Sequence, residues 1–277
     1  MNTPSRPRAT KIICTIGPAT DTSDMLGQLI EAGANVFRLN MSHSKHDWVR
    51  EVVFRIRRKA AELEANVAIL FDLQGPSIRT GDLAEPYHLK KGDTVEIRLG
   101  TAKPELPFST TVNYDGLLQD VQAGHTMVVD NGGILMRIAE VRPDRLICDV
   151  LTEGVFGSRR HINLPGVALR LPALTEKDLA DLAVAVECET DYVAMSFVRD
   201  AAHIAQLREH IDNLGGKAQI VAKIEDQQAV RHIDDIILAA DVIMVARGDL
   251  GIEVSIEELP IIQRRIVRHC HRLGRRC

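Results

Sequence analysis

D-V-I-M-V-A-R-G-D-L-G-I-E, Asp241 to Glu253, joins a near-continuous apolar run (Val242 to Ala246) directly to Arg247-Gly248-Asp249 and Gly251. Such a run suits a parallel strand buried on both faces. A carboxylate at the carboxyl end of a buried strand, beside a glycine that admits close backbone approach, is where α/β enzymes place their chemistry. Asp249 is therefore the leading candidate site residue. Ala218 to Ile224 repeats the design and delivers Lys223 and Glu225. One lysine and two carboxylates at neighbouring strand ends suit a magnesium ion, which keeps waters and substrate oxygens among its ligands. That combination points to phosphoryl transfer or enolate chemistry on an anionic substrate.

The same rhythm runs through the amino-terminal part. Lys11 to Gly17, Ala34 to Asn40 and Val67 to Asp72 read as buried strands. Ser23 to Ala32 reads as a helix stopped by Gly33, and Val49, Val52, Val53, Ile56, Ala60 and Leu63 mark another. Strand and helix in alternation predict right-handed β-α-β units around a parallel sheet or barrel. From about Asp82 to Gly166 the rhythm stops, and short alternating runs with tight turns predict antiparallel strands, Asp130-Asn131-Gly132 being the clearest hairpin signal.

After Pro172 the α/β pattern resumes. Thr175 with Asp178 predicts a capping box, and Ser255 with Glu258 a second one opening a helix whose face carries Ile262, Ile266, Cys270 and Leu273. Strands at Asp191 to Phe197, Gln219 to Ile224 and Val242 to Ala246 bring the count to about six, two short of an eight-stranded barrel. The expected class is α/β: a (β/α)8 TIM-type barrel, incomplete, with an inserted all-β lid domain. The expected boundaries are 1–81 and 167–277 for the barrel and 82–166 for the lid.

Composition narrows the function classes. The chain has 277 residues, 26% charged and 45% apolar, with net charge -4, which argues against non-specific nucleic-acid binding. No apolar run approaches the ~18 residues of a membrane span, and the amino terminus M-N-T-P-S-R-P-R lacks the apolar core of a secretory signal. Cys14, Cys148, Cys188, Cys270 and Cys277 are scattered without a C-x-x-C pair, as in a reducing, cytoplasmic setting. The arginines of the carboxyl-terminal helix interleave with its apolar face and read as a solvated surface.

Seven motifs in order resemble the pyruvate kinase family: T-K-I-I-C-T-I-G-P-A (Thr10 to Ala19), F-R-L-N-M-S-H (Phe37 to His43), D-L-Q-G-P-S-I-R-T-G (Asp72 to Gly81), G-S-R-R-H-I-N-L-P-G (Gly157 to Gly166), M-S-F-V-R (Met195 to Arg199), V-A-K-I-E (Val221 to Glu225) and M-V-A-R-G-D-L-G (Met244 to Gly251). The resemblance implies an enzyme that moves the phosphoryl group of phosphoenolpyruvate to ADP, giving pyruvate and ATP, in a cleft between barrel and lid. By similarity Lys223 is the catalytic lysine, and Arg38 and Arg79 contact the transferring phosphoryl. Glu225 and Asp249 hold a divalent metal, Mg2+ or Mn2+, and Ala246, Arg247 and Gly248 with Asp249 lie along the substrate carboxylate. Asn40, Ser42, Asp72 and Leu73 match a monovalent-cation site. Thr15, Pro18, His43, Asp130 and Arg159 or Arg160 match the nucleotide side.

Two departures accompany the match. Ser77 stands where family members carry a glutamate or a lysine, leaving potassium dependence open. Family members also continue past a glycine like Gly274 into two further strands and another domain. The chain is therefore expected to be a fragment, with homo-oligomer formation a property of the full-length protein. Membrane and nucleic-acid partners are not expected. The competing readings are a phosphoenolpyruvate- and metal-binding regulatory derivative and a metal-dependent pyruvate aldolase-type barrel.

Overall fold

A computed structural model describes residues 9–277, so the reading of residues 1–8 lies outside the described residues. In chain order the elements are β1 (Ile13–Ile16), α1 (Ser23–Glu31), β2 (Val36–Asn40), α2 (His46–Glu62), β3 (Ala68–Asp72), β4 (Tyr87–Leu89), β5 (Thr94–Arg98), β6 (Phe108–Thr111), α3 (Leu117–Asp120), β7 (Thr126–Val129), β8 (Ile134–Val141), β9 (Arg145–Val150), β10 (Gly154–Phe156) and β11 (Ile162–Asn163). There follow α4 (Glu176–Glu187), β12 (Tyr192–Met195), α5 (Ala201–Asn213), β13 (Gln219–Ile224), α6 (Gln227–Arg231), α7 (Ile233–Ala239), β14 (Val242–Val245), α8 (Arg247–Glu253) and α9 (Leu259–Arg272).

The six apolar runs form one parallel sheet in the order β1-β2-β3-β12-β13-β14, a curled half-barrel. Alternation along each strand sorts its two faces. Phe37, Leu39, Ile69, Phe71, Val193, Met195, Ile220, Ala222 and Ile224 turn toward the helices and join the main core with Leu26, Ile56, Leu207 and Ile266. Their neighbours turn inward, where Leu70, Ala194 and Val221 make a much smaller cluster with Val36, Val242 and Met244. The register pairs Arg38 with Leu70, Asp72 with Ala194, and Lys223 with Met244, so Arg38, Asp72 and Lys223 share that inner face. Beside β14, Arg276 makes a parallel bridge with Val242, in the position of a next strand.

The region after β3 builds a second sheet, β11-β7-β8-β9-β5-β6, with a small β4-β10 pair. Its core is separate and includes Val95, Ile97, Met136, Leu146 and Cys148; Ile78 before it and Val167, Leu169 and Leu171 after it pack there too. Asp130, Asn131 and Gly132 turn the β7-β8 hairpin with positive φ, as their sequence predicts. The expectation of antiparallel strands holds except for β5 and β6, which pair parallel.

Thr175 and Asp178 form the predicted capping box of α4. Ser255 caps nothing with its side chain: α9 begins at Leu259 with Glu258 as its first flanking residue, and Pro260 occupies the first turn, where a missing N–H costs nothing. On α9, Ile266 and Cys270 are buried, whereas Leu273 is 42% exposed and is not part of the apolar face. The glycine-containing segment after β14 is the short helix α8, anchored by fully buried Leu250.

Candidate active site

The inward residues of β2, β3 and β13 meet at the carboxyl ends of the strands. Arg38 donates Nε to Asp72 Oδ2 at 2.6 Å and Nη1 to Thr15 Oγ1 at 2.8 Å. The Lys223 ammonium lies 2.8 Å from Glu225 Oε1 and 3.2 Å from Asp72 Oδ1, and donates to Ser196 Oγ at 2.7 Å. Burial alone would depress the lysine, but the Glu225 and Asp72 carboxylates outweigh it and hold its pKa above the ordinary value. Lys223 is thus a fixed, mostly buried cation at the floor of a cleft of about 400 Å3.

The same cleft is lined by Asn40, Ser42, His43, Leu73, Arg79, Asp130, Arg159, Arg160 and Asp249. Arg160 reaches Asp130 at 3.2 Å, whereas Arg159 is held by both oxygens of Asp82 at 2.7 and 2.9 Å. Arg79 donates to Ser77 Oγ and to the Arg159 carbonyl, beside its own bridge to His161. Thr15 touches the site only through Arg38, and Pro18, Ala246, Arg247 and Gly248 do not line the cleft; Asp249 projects into it from the first turn of α8.

Ser196, Phe197, Gln74 and His161 line the cleft without having been assigned a role from sequence. Ser196 donates to the Leu73 carbonyl while accepting from Lys223. The strand parity of Tyr192, Ala194 and Ser196 carries that signal. Phe197 acts through its backbone, donating N–H to Glu225 Oε2 at 2.6 Å from a left-handed conformation (φ 54°). Gly75 makes this approach feasible: its φ is +70°, and a Cβ there would lie 2.9 Å from both Ser196 and Phe197 side chains.

No group of three or more metal-binding side chains gathers among the described residues. A divalent ion would rest on Glu225 and Asp249 with waters and substrate oxygens completing its shell. Burial works against the Glu225 charge and the nearby Asp249 carboxylate adds to that, which a divalent cation between them would relieve. Asp72 Oδ1 is buried with the Lys223 ammonium at 3.2 Å and no hydrogen bond of good geometry, and it keeps acceptor capacity in the same space beside Asn40 and Ser42. Hard oxygens on an open cleft fit magnesium or manganese.

Fold and site together define a β/α barrel-type protein with a strand-end cleft of mixed, fixed charges. Comparison with known families matches residues 7–277 to "Pyruvate kinase, barrel domain", and the chain belongs to that family. It is 39% identical over 275 residues to plastidial pyruvate kinase 2 of Arabidopsis thaliana, covering 98% of this chain and 47% of that protein. A pyruvate kinase of Clostridium perfringens is 38% identical over 268 residues, covering 96% and 56%. One from Staphylococcus aureus (strain MRSA252) is 36% identical over 271, covering 97% and 46%. The chain spans about half the length of the curated relatives it matches.

Proposed function

We propose that this chain is the substrate-binding half of a pyruvate kinase, moving the phosphoryl group of phosphoenolpyruvate to ADP to give pyruvate and ATP. The observation that carries the reading is the Lys223 ammonium held between Asp72, Glu225 and Ser196 with Arg38 braced on the same Asp72. Phosphoryl transfer asks a protein for positioning and positive charge, and two arginines with one buried lysine supply both. Arg38 and Arg79 hold the phosphoryl oxygens, and Lys223 faces the charge that develops on the group in flight and on the enolate. Glu225 and Asp249 hold the divalent ion, whose positive charge would polarise the phosphoryl oxygens when bound. Asn40, Ser42, Asp72 and Leu73 offer the oxygens for potassium.

The region 82–166 serves as a lid domain, its Asp130-Arg160 pair covering the nucleotide and excluding water. The scattered free cysteines suit a cytoplasmic setting. Among the described residues no helix is long and apolar enough to cross a membrane.

The test is ATP formation from phosphoenolpyruvate and ADP with magnesium, with and without potassium, for the chain and its Lys223→Met variant. The variant is expected to lose on the order of 10³-fold in turnover, the scale of a removed electrostatic stabiliser. If the chain alone does not turn over, phosphoenolpyruvate and manganese binding, weakened in Arg38→Ala, would support the same site. Equal turnover in Lys223→Met, or no binding of either ligand, would overturn it.

A further inference from the structure

A second cavity, of about 250 Å3, lies beside the charged cleft, and Phe197, His161 and Glu225 line both. Its walls come from β11, the segment 164–171, α6 and the end of α8. One side is apolar, formed by Ile78, Leu164, Val167 and Leu169. The other presents acceptors with too few donors. The Glu253 carboxylate receives only the Asn163 Nδ2 amide, at 3.4 Å, and no cationic side chain among the described residues pairs with it. Asn163 is 7% exposed, and its Oδ1 is buried without any hydrogen-bond partner. Turning the amide over would set Oδ1 against the carboxylate, so the orphaned acceptor is imposed by Glu253 itself.

Elsewhere in the molecule buried carboxylates are compensated. Asp72, Glu96, Asp181 and Glu225 each face an arginine or lysine, and Asp178 takes three N–H or O–H donors. The cations near Glu253 are committed to other groups: Arg199 donates to the Leu169 and Leu171 carbonyls, and Arg231 to Gln227 Oε1. Asp226 adds a third acceptor, its carboxylate capping α6 through the Ala229 N–H at 2.7 Å. Unpaired acceptors in a half-buried cavity are unfavourable, and a donor-rich cation is what would satisfy them.

We propose that this cavity is a ligand site in its own right, taking a small amphiphilic cation whose ammonium or guanidinium head meets Glu253 and Asn163 Oδ1 and whose apolar body lies on Leu164, Val167 and Leu169. Three ammonium donors suffice for both acceptors, with one left for water. The site does not depend on phosphoryl transfer, and its test reads binding alone.

Benzylamine and its neutral counterpart benzyl alcohol serve as probes, titrated into the intact chain with methyl NMR signals as the readout. Saturable shifts of the Leu164, Val167 and Leu169 methyls are expected with benzylamine at millimolar affinity, the scale for a ligand of this size. Benzyl alcohol should bind at least about tenfold more weakly, since it lacks the charge-assisted contact. Glu253→Gln should weaken the amine by a similar factor and leave the alcohol unchanged, while Glu253→Asp, which keeps the charge, should retain part of the preference. Should the glutamine variant not fold, the amine-to-alcohol ratio in the unsubstituted chain decides. Equal affinity for the two probes, no saturable shift, amine binding unchanged in Glu253→Gln, or shifts confined to the Lys223 cleft would each overturn the assignment.

Discussion

Lys223 and Glu253 show opposite fates for a charge taken out of water. The lysine has two carboxylates and a hydroxyl around it and stays charged. The glutamate has none of this: burial first, then the Asp226 carboxylate, push its pKa up to about 7. A carboxyl whose folded pKa is raised binds more protons in the native state, so its stabilising effect is complete below the unfolded value and is lost as pH rises through the folded one. From the ordinary 4.5 to about 7 the swing is on the order of 3 kcal/mol. Urea midpoints measured between pH 4.5 and 7.5 should therefore fall more steeply for the parent chain than for Glu253→Gln. Identical slopes would remove the assignment. Sequence displayed Asp249, Lys223 and Glu225 because each follows an apolar run. It could not display Phe197, whose contribution is a backbone N–H, nor Glu253, whose lack of a partner depends on where Arg199 is spent.

At the scale of elements, a polar residue just before a strand recurs. Asn35 Oδ1 accepts the Ile12 N–H, Asp191 Oδ2 the Ile69 N–H at 2.7 Å, and Asp241 Oδ2 the Ile220 N–H at 2.7 Å. Each locks the start of one strand onto its neighbour, and helix arginines Arg57 and Arg208 brace the two aspartates. Asp241→Ala should lower stability by about 2 kcal/mol, the range for a lost charged hydrogen bond, as read from denaturant unfolding. A change below about 0.5 kcal/mol, typical of uninvolved surface positions, would assign the contact no such role. Element types were largely legible because apolar period separates strands from helices. The exception, α8, carries Gly248 and Gly251, which local propensity scores against a helix; full burial of Leu250 and the packing of α8 on α9 override that.

The whole molecule holds two principal hydrophobic clusters, one between the parallel sheet and its helices and one inside the second sheet. Trp48, the chain's single tryptophan, packs on the first and bonds Asp21. If region 82–166 is a domain of its own, Trp48 fluorescence and far-UV circular dichroism should give non-coincident urea transitions; coincidence would mean that both clusters unfold as one. The amino-acid order by itself determined the strand and helix sequence, the interruption after β3 and the charged residues at strand ends, because those are encoded in spacings of two to four residues. Only the tertiary structure decided that Arg38, Asp72, Ser196 and Lys223 point into one space, that Arg160 meets Asp130 there, and that Glu253 faces a cavity without a cation. Those relations join residues as far apart in the chain as Arg38 and Lys223, and they follow from sheet register and packing, to which no local pattern has access.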